Sequence, residues 1–200
     1  MKLLDAARRT KIKKCRFEED RLRGLAAGLL LQKAVKEEHL TAEQAVVTEE
    51  KGKKPRLASN SYFFNISHAG NFAVCAFADC ETGADIEMYS RFCRDKEKNK
   101  KIAKRIMTKE EWNLWKDEES GQELLKIWTR KESYAKLTGK GLGCDFVKTD
   151  TLQGIFYYEK DISDAAHLAV CTENRQSFAE LLWMDANMSL RFSEKMILYK

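Results

Sequence analysis

The same order of patterns occurs twice along the chain, with helical segments followed by short β-rich runs. Apolar residues recur at helical spacing over residues 16–38, and further helical segments cover residues 99–116 and 121–138. The β-rich runs cover residues 62–67, 71–78, 82–88, 154–160, 166–173 and 178–186. This order predicts an α+β fold of two similar halves, residues 1–95 and 96–200, each made of helix plus antiparallel strands.

Residues 71–78 are apolar on both faces, which is typical of a central strand that is covered on both sides. The strings FAVCA (72–76) and LAVCT (168–172) echo each other across the two halves. The Gly70-Asn71 step and the stretch 79–83 are the predicted turns between the first three strands. The glycines of GKGLG (139–143) indicate where the preceding helix ends.

Composition and cysteine spacing limit the classes of protein to which the chain can belong. Hydrophobic residues make up 44% and charged residues 34% of the 200 residues, as in an ordinary globular protein. No apolar run reaches the roughly 20 residues of a membrane span, and the N-terminus lacks a signal-peptide core, so we expect a cytoplasmic protein without membrane association. The six cysteines form no C-x-x-C pair and there are three histidines, which argues against zinc and against a disulfide framework.

Positive charge is concentrated in two stretches. Residues 1–24 hold nine Lys or Arg against four acids, and residues 91–105 hold eight against two. Such clusters suit a polyanionic ligand or an acidic partner protein, although solvated surface charge explains either cluster equally well.

The stretch GADIE places two carboxylates on one face of a strand. Asp85 and Glu87 are two residues apart, so their Cα atoms lie about 6.5–7 Å apart and their side chains point the same way. Paired carboxylates of this kind can hold Mg²⁺ together with substrate phosphates. The alternative is the wet face of a half-exposed strand.

A helix over WTRKESYAK carries three residues at four-residue spacing. Trp128, Glu132 and Lys136 therefore share one side. Glu132 and Lys136 fit either a surface ion pair, worth a few tenths of a kcal/mol, or a catalytic carboxylate and ammonium side by side. Trp128 is the expected packing anchor on that side.

Two loops offer further candidate ligand contacts. Ser67 and His68 end a strand beside a turn, where an imidazole can bind a phosphate oxygen. The loop KGKKPR is cationic and contains the only proline, Pro55. There is no P-loop, no dinucleotide fingerprint and no G-x-S-x-G elbow, so those chemistries are excluded.

Taken together and in this order, these pieces resemble the Sfp-type 4′-phosphopantetheinyl transferases. The matching fragments are Lys54-Pro55, FNISHAG, GADIE, IAKRIMTKEEW and WTRKESYAKLTGKGL, which span roughly residues 50–145. Relative to the family, we expect the strand before the first basic segment to be largely missing.

The resemblance implies a set of site residues. Asp85, Glu87 and Glu132 would form the Mg²⁺ site, with Lys136 beside the phosphates and His68 on a coenzyme A phosphate. Further coenzyme A contacts carry over to Ser67, Lys54, Arg8 and Lys11. An additional lysine in GKKP leaves Lys53 as an alternative to Lys54.

The resemblance also implies the fold and the reaction. We expect two pseudo-twofold-related halves in a monomer, and transfer of phosphopantetheine from coenzyme A to a serine of an acidic acyl or peptidyl carrier protein, releasing 3′,5′-ADP. Glu132, directly or through a metal-bound water, would take the serine proton. The alternatives are a Mg²⁺-dependent phosphohydrolase acting on coenzyme A or nucleotides, and a basic nucleic-acid-binding module.

Overall fold

The computed structural model describes residues 6–50, 52–59, 61–92, 95–117, 121–153, 155–162, 164–173, 179–185 and 194–196. The helices are α1 (Ala6–Lys14), α2 (Glu18–Glu37), α3 (Lys96–Ile106), α4 (Lys109–Trp115) and α5 (Gly121–Thr138). The strands are β1 (Val47–Thr48), β2 (Arg56–Leu57), β3 (Phe63–Ala69), β4 (Phe72–Ala78), β5 (Thr82–Met88), β6 (Phe156–Ile162), β7 (Ala166–Thr172), β8 (Ala179–Asp185) and β9 (Glu194–Met196). The α+β class with antiparallel sheets is confirmed.

The strands form two larger antiparallel sheets that mix the two halves of the sequence. One sheet has the order β3-β4-β8-β9 and the other has the order β5-β7-β6, beside the small β1-β2 pair. Strand β4 pairs with β8 so that Ala76 lies opposite Leu181, and β5 pairs with β7 so that Asp85 lies opposite Ala169. Strand pairing thus crosses the 95/96 boundary twice. The division into halves and their pseudo-twofold relation remain predictions.

Two apolar cores explain why β4 is apolar on both faces. Its residues Ala73, Cys75 and Phe77 pack with buried residues of α2, including Leu30. Its alternate residues pack against apolar residues of the second sheet. The layers therefore run from α2 through the first sheet to the second sheet, and α5 covers the far side of the second sheet. The prediction of a central, covered strand is confirmed.

Helix α5 lies unusually close to β5 because residue 83 is glycine. A Cβ atom at Gly83 would lie 1.9 Å from the Ser133 carbonyl oxygen and 2.5 Å from the Leu137 backbone nitrogen. The sequence predicted a turn over residues 79–83, but Gly83 lies inside β5. The absent side chain therefore serves close helix–strand packing. Helix α5 ends at Thr138, and the next residue, Gly139, has a φ of 68°, so the predicted end of this helix is confirmed.

The remaining boundaries differ locally from the sequence prediction. Residues 99–116 were expected to be helical, but α3 ends at Ile106 and α4 begins at Lys109. Thr108 caps α4, and Glu111 returns a hydrogen bond to the Thr108 backbone, which forms a capping box. Helix α1 was not predicted, and β6 lies two residues later than expected. Cys93, Gly154 and Phe178 lie outside the described residues.

A third core beneath α3, α4 and α5 contains a buried ion pair. Lys131 and Glu111 are both fully buried, and the Lys131 Nζ lies 2.7 Å from the Glu111 Oε2. The same ammonium donates to the carbonyl oxygens of Phe146 (2.7 Å) and Thr149 (2.6 Å). All three ammonium protons therefore have acceptors, as a buried charge requires.

Candidate active site

Strands β3 and β5 meet through side chains where the two sheets adjoin. The Asn65 side-chain oxygen accepts a hydrogen bond from the Ala84 backbone nitrogen (2.9 Å), and the Ser67 hydroxyl oxygen accepts one from the Ile86 nitrogen (3.4 Å). Backbone donors of β5 are thus satisfied by polar side chains of FNISHAG. This seam holds β5 so that its carboxylates face α5.

Asp85 is the centre of the cluster. Its side chain is buried, and its Oδ1 accepts hydrogen bonds from the Ser67 hydroxyl (3.0 Å) and the Lys136 ammonium (2.6 Å). The Lys136 Nζ also donates to the Ser67 oxygen at 2.9 Å. The second oxygen, Oδ2, is buried and has no hydrogen-bond partner within the described structure. Burying a carboxylate oxygen without a partner costs free energy, so this atom is a candidate to bind a hydrogen-bond donor or a cation.

Glu132 lies near Asp85 without being paired to it. Burial, and next the negative charge of Asp85, raise the pKa of Glu132, while the positive charges of Lys136 and Arg91 oppose that rise. No hydrogen bond or ion pair involves the Glu132 side chain in the part of the chain that the structure describes. The simple i,i+4 ion pair is therefore not formed, because Lys136 turns to Asp85 instead.

Glu87 is occupied by two donors. Its Oε1 accepts a hydrogen bond from the Trp128 indole nitrogen at 3.2 Å and forms an ion pair with Arg91. Trp128 also packs edge-on against Phe92 and Phe146, with ring centroids 6.2 and 6.3 Å apart. The residue predicted as a packing anchor thus also orients Glu87.

The three predicted carboxylates converge on one region, where Asp85 is paired with Lys136 and Glu87 with Arg91 while Glu132 has no ion pair among the described residues. Among the described residues, no group of three or more His, Cys, Asp or Glu side chains is arranged to hold a metal ion. The donor chemistry nevertheless fits a hard divalent cation, because Asp85 offers a buried oxygen without a partner and Glu87 and Glu132 add further oxygens.

His68 lies near the end of β3, one residue after Ser67. Burial first, and then the positive charges of Arg23 and Lys136, lower the pKa of His68. Its imidazole is therefore neutral at pH 7 and can both donate and accept hydrogen bonds. Arg23, which sequence analysis did not single out, donates to the Gly70 carbonyl oxygen (3.0 Å) and pairs with Asp20.

A cavity of about 570 Å³ lies where β5 begins and α5 ends. Its lining includes Lys53, Lys54 and Arg56 of the cationic loop, together with Glu81. Lys54 faces inward, donating to Glu81 (2.9 Å) and to the Thr82 carbonyl, and burial lowers its pKa. The side chains of Lys53 and Arg56 are 69% and 56% exposed, so their charges are more accessible to a ligand.

Arg8 and Lys11 lie on α1, away from the carboxylates. Lys11 pairs with Glu49, which sits between two residues of the cavity lining, Thr48 and Glu50. Arg8 lines a separate cavity of about 540 Å³ against α2. The structure thus places Lys11 at the edge of the first cavity and Arg8 outside its lining.

Comparison with known proteins identifies the family of this chain. A model of the 4′-phosphopantetheinyl transferase superfamily matches residues 81–181, which contain Asp85, Glu87, Glu132 and Lys136. A model of the N-terminal part of 4′-phosphopantetheinyl transferases matches residues 1–80. The chain belongs to the 4′-phosphopantetheinyl transferase superfamily.

Curated relatives of this superfamily member are about 30% identical to it in sequence. The 4′-phosphopantetheinyl transferase Sfp of Bacillus subtilis is 31% identical over 147 residues, which cover 71% of this chain and 63% of the relative. AcpT of Salmonella typhimurium is 31% identical over 74% of each chain. The L-aminoadipate-semialdehyde dehydrogenase-phosphopantetheinyl transferase of Mus musculus is 30% identical over 75% of this chain and 53% of the relative. The chain spans less than two thirds of the Bacillus subtilis relative. The resemblance drawn from the sequence is confirmed at the level of the family.

Arg91 is the site residue of this transferase-family chain that sequence analysis misplaced. It was counted within the basic cluster 91–105, as charge for a polyanionic ligand, an acidic partner or solvent, but it pairs with Glu87 and its guanidinium carbon lies 4.5 Å from the Trp128 ring centroid. Its four-residue spacing from Glu87 was the available signal.

None of the helices in the described part of the chain combines the length and apolar character of a membrane crossing.

Proposed function

We propose that this protein transfers 4′-phosphopantetheine from coenzyme A to a serine of an acyl or peptidyl carrier protein, with Mg²⁺, and releases 3′,5′-ADP. The observation that carries the proposal is the cluster in which Asp85, Ser67 and Lys136 contact one another beside Glu132. Family membership supports the same reaction. We further propose that the protein acts as a cytoplasmic monomer.

Mg²⁺ would be held by Asp85, Glu87 and Glu132, and when bound it would neutralise charge on the pyrophosphate. Asp85 would contribute its Oδ2, because its other oxygen is taken by Ser67 and Lys136.

Coenzyme A would be bound by polar groups on both sides of the carboxylates. Ser67, His68 and Lys136 would contact its phosphates, since Ser67 and Lys136 bond to Asp85 and His68 follows Ser67 on β3. Lys54 or Lys53 would add charge from the cavity at the end of α5, and Lys11 and Arg8 would act from α1. The neutral His68 would donate a hydrogen bond to a phosphate oxygen.

During the transfer, one residue would take up the proton and another would offset the developing negative charge. The serine oxygen forms a bond to the β-phosphorus of coenzyme A, and the bond from that phosphorus to the oxygen of 3′,5′-ADP breaks. Glu132 would accept the serine proton as a general base. Lys136 offsets the charge that develops on the leaving phosphate.

The acidic carrier protein would dock on helix α3. Lys98, Lys101 and Lys104 are exposed on this helix. Long-range attraction to an acidic partner accelerates encounter and weakens with salt. Reversing these three charges to Glu should raise the KM for the carrier protein, most strongly at low salt. An unchanged KM would remove docking as the role of α3.

The decisive experiment is the intact mass of an apo carrier protein after incubation with coenzyme A, Mg²⁺ and the enzyme. We expect the mass of one phosphopantetheine to be added to serine. Glu132→Gln should lose nearly all transfer with the fold intact, and Glu110→Gln, a carboxylate exposed on α4, is the matched control that should keep it.

The other outcomes identify the alternatives. Cleavage of coenzyme A without modification of the carrier protein would support a phosphohydrolase. Neither reaction, together with salt-sensitive binding of nucleic acid, would support a basic binding module. Wild-type turnover by Glu132→Gln would refute the assignment of Glu132.

A further inference from the structure

Arg91 occupies a position within the carboxylate site that none of the proposed roles uses. It ends the short turn Tyr89–Arg91 that directly follows β5. Its guanidinium pairs with Glu87 and lies over the Trp128 ring, with the guanidinium carbon 4.5 Å from the ring centroid. The Trp128 nitrogen donates to the same Glu87 oxygen. The guanidinium is thus held between a carboxylate and an indole face, which is a favourable setting for arginine.

The charge of Arg91 also reaches the other two carboxylates. Attraction to Asp85 and to Glu132 favours its charged form, although burial has the larger effect and lowers the Arg91 pKa. Lys136 neutralises Asp85 directly. Two organic cations therefore share three carboxylates, and one negative charge is left for a further cation. The oxygen of Asp85 that lacks a partner lies in the same region.

We infer that Arg91 is an internal counter-cation that holds Glu87 in the metal-free protein and competes with a divalent cation for it. This inference rests on the proposed function, which assigns Glu87 to the metal. Glu87 Oε1 already accepts from both Trp128 and Arg91, so a divalent cation that coordinates this oxygen displaces the guanidinium. The Arg91 side chain is 40% exposed, so it has room to move toward solvent while it remains near Trp128.

Mn²⁺ titration of the coenzyme-free protein by calorimetry tests this competition. Arg91→Met keeps an unbranched side chain against Trp128 but removes the charge. We expect this variant to bind Mn²⁺ about three- to fivefold more tightly, in the range expected from loss of one partly exposed ion pair. Lys104→Met is the matched control, because Lys104 also lies over an indole ring, Trp112, at 6.0 Å. Its affinity should remain within about twofold of wild type.

A second measurement separates displacement from a general charge effect. In protein labelled with 5-fluorotryptophan, the ¹⁹F resonance of Trp128 can be assigned from its absence in Trp128→Phe. Saturating Mg²⁺ should move this resonance in the wild-type protein and move it much less in Arg91→Met, because only the wild-type protein has a guanidinium to displace. Equal movement in both proteins would show that Arg91 stays in place and would overturn the inference.

The outcomes are independent of the transfer reaction. Equal Mn²⁺ affinity of the wild type and Arg91→Met, or no binding by either, overturns the inference even if phosphopantetheine transfer is observed. Tighter binding by Arg91→Met with loss of the Trp128 response supports it even if the carrier protein is not modified. In that case the proposed reaction fails, while the competition at Glu87 stands.

Discussion

Replacing Lys131 by methionine should remove a large part of the stability of this fold. Lys131 is fully buried, and its ammonium makes bonds of 2.6–2.7 Å to Glu111, Phe146 and Thr149. Methionine fills a similar volume but offers no donor. The substitution therefore leaves a carboxylate and two carbonyl groups without the cation that satisfies them.

The magnitude follows from what remains around Glu111. Its Oε1 keeps hydrogen bonds from the Thr151 hydroxyl (2.6 Å) and the Thr151 nitrogen (2.9 Å), and its Oε2 keeps one from the Thr108 nitrogen (2.9 Å). These bonds lessen the penalty of an unpaired charge but do not cancel it. Removing one partner of a buried ion pair typically costs about 3–5 kcal/mol. We expect about 3 kcal/mol here, near the lower end of that range.

Urea denaturation measures this loss. With a slope of about 2–3 kcal/mol per M, a loss of about 3 kcal/mol lowers the midpoint by about 1–1.5 M. Lys126→Met is the matched control, since Lys126 lies on the same helix and pairs with Glu123 at the surface. That pair is worth less than about 1 kcal/mol.

The double variant Lys131→Met/Glu111→Leu provides the counter-test. It removes both charges, so it should recover part of the stability that Lys131→Met loses. If Lys131→Met lost less than about 1 kcal/mol, or if the double variant were no more stable than the single one, the pair would not act as argued.

Three further predictions concern pH, packing and capping. The pKa of His68 is lower in the folded protein than in the unfolded chain, so protonation between pH 7 and pH 5 favours unfolding. His68→Gln should therefore lose less stability than the wild type over this pH range, as measured by urea midpoints. Parallel losses in the two proteins would contradict the direction of the pKa shift. Gly83→Ala should lower the free energy of unfolding by at least about 2 kcal/mol and weaken Mn²⁺ binding, because the added methyl group meets the backbone of α5. Gly143→Ala is the control and should be nearly neutral, because Gly143 faces open space. Similar melting temperatures of the two variants would refute the close packing at Gly83. Thr108→Ala should cost about 1 kcal/mol in thermal unfolding by removing the cap of α4, and no change would show that the cap is dispensable.

Local patterns were sufficient to predict the elements that carry the site. Helical spacing predicted α2 and α5, and alternation placed Asp85 and Glu87 on one face of β5. The face is the one that α5 covers, which is why Lys136 reaches Asp85. These features depend on neighbours within a few residues, and such neighbours are visible in a sequence.

Longer-range pairing was not predictable in the same way. Strands β4 and β7 have nearly the same apolar pattern, so nothing local determines that β4 pairs with β8 and β7 with β5. The same limit applies to charged groups. Lys131 reads as a surface residue until Glu111, 20 positions earlier, is known to be buried beside it, and Arg91 reads as surface charge until Glu87 and Trp128 enclose it.

Helix α5 links the stability of the fold to the geometry of the candidate site. Lys131 and Glu132 are consecutive, so their side chains diverge by about 100° around the helix. Lys131 is fixed by Glu111 and by the carbonyl oxygens of residues 146 and 149, whereas Glu132 is directed toward Asp85. A rotation of α5 that moved Glu132 away from Asp85 would have to break the bonds of the Lys131 ammonium. The buried ion pair therefore sets the rotation at which Glu132 and Lys136 face the carboxylates of β5, and weakening it should disturb cation binding before the chain unfolds.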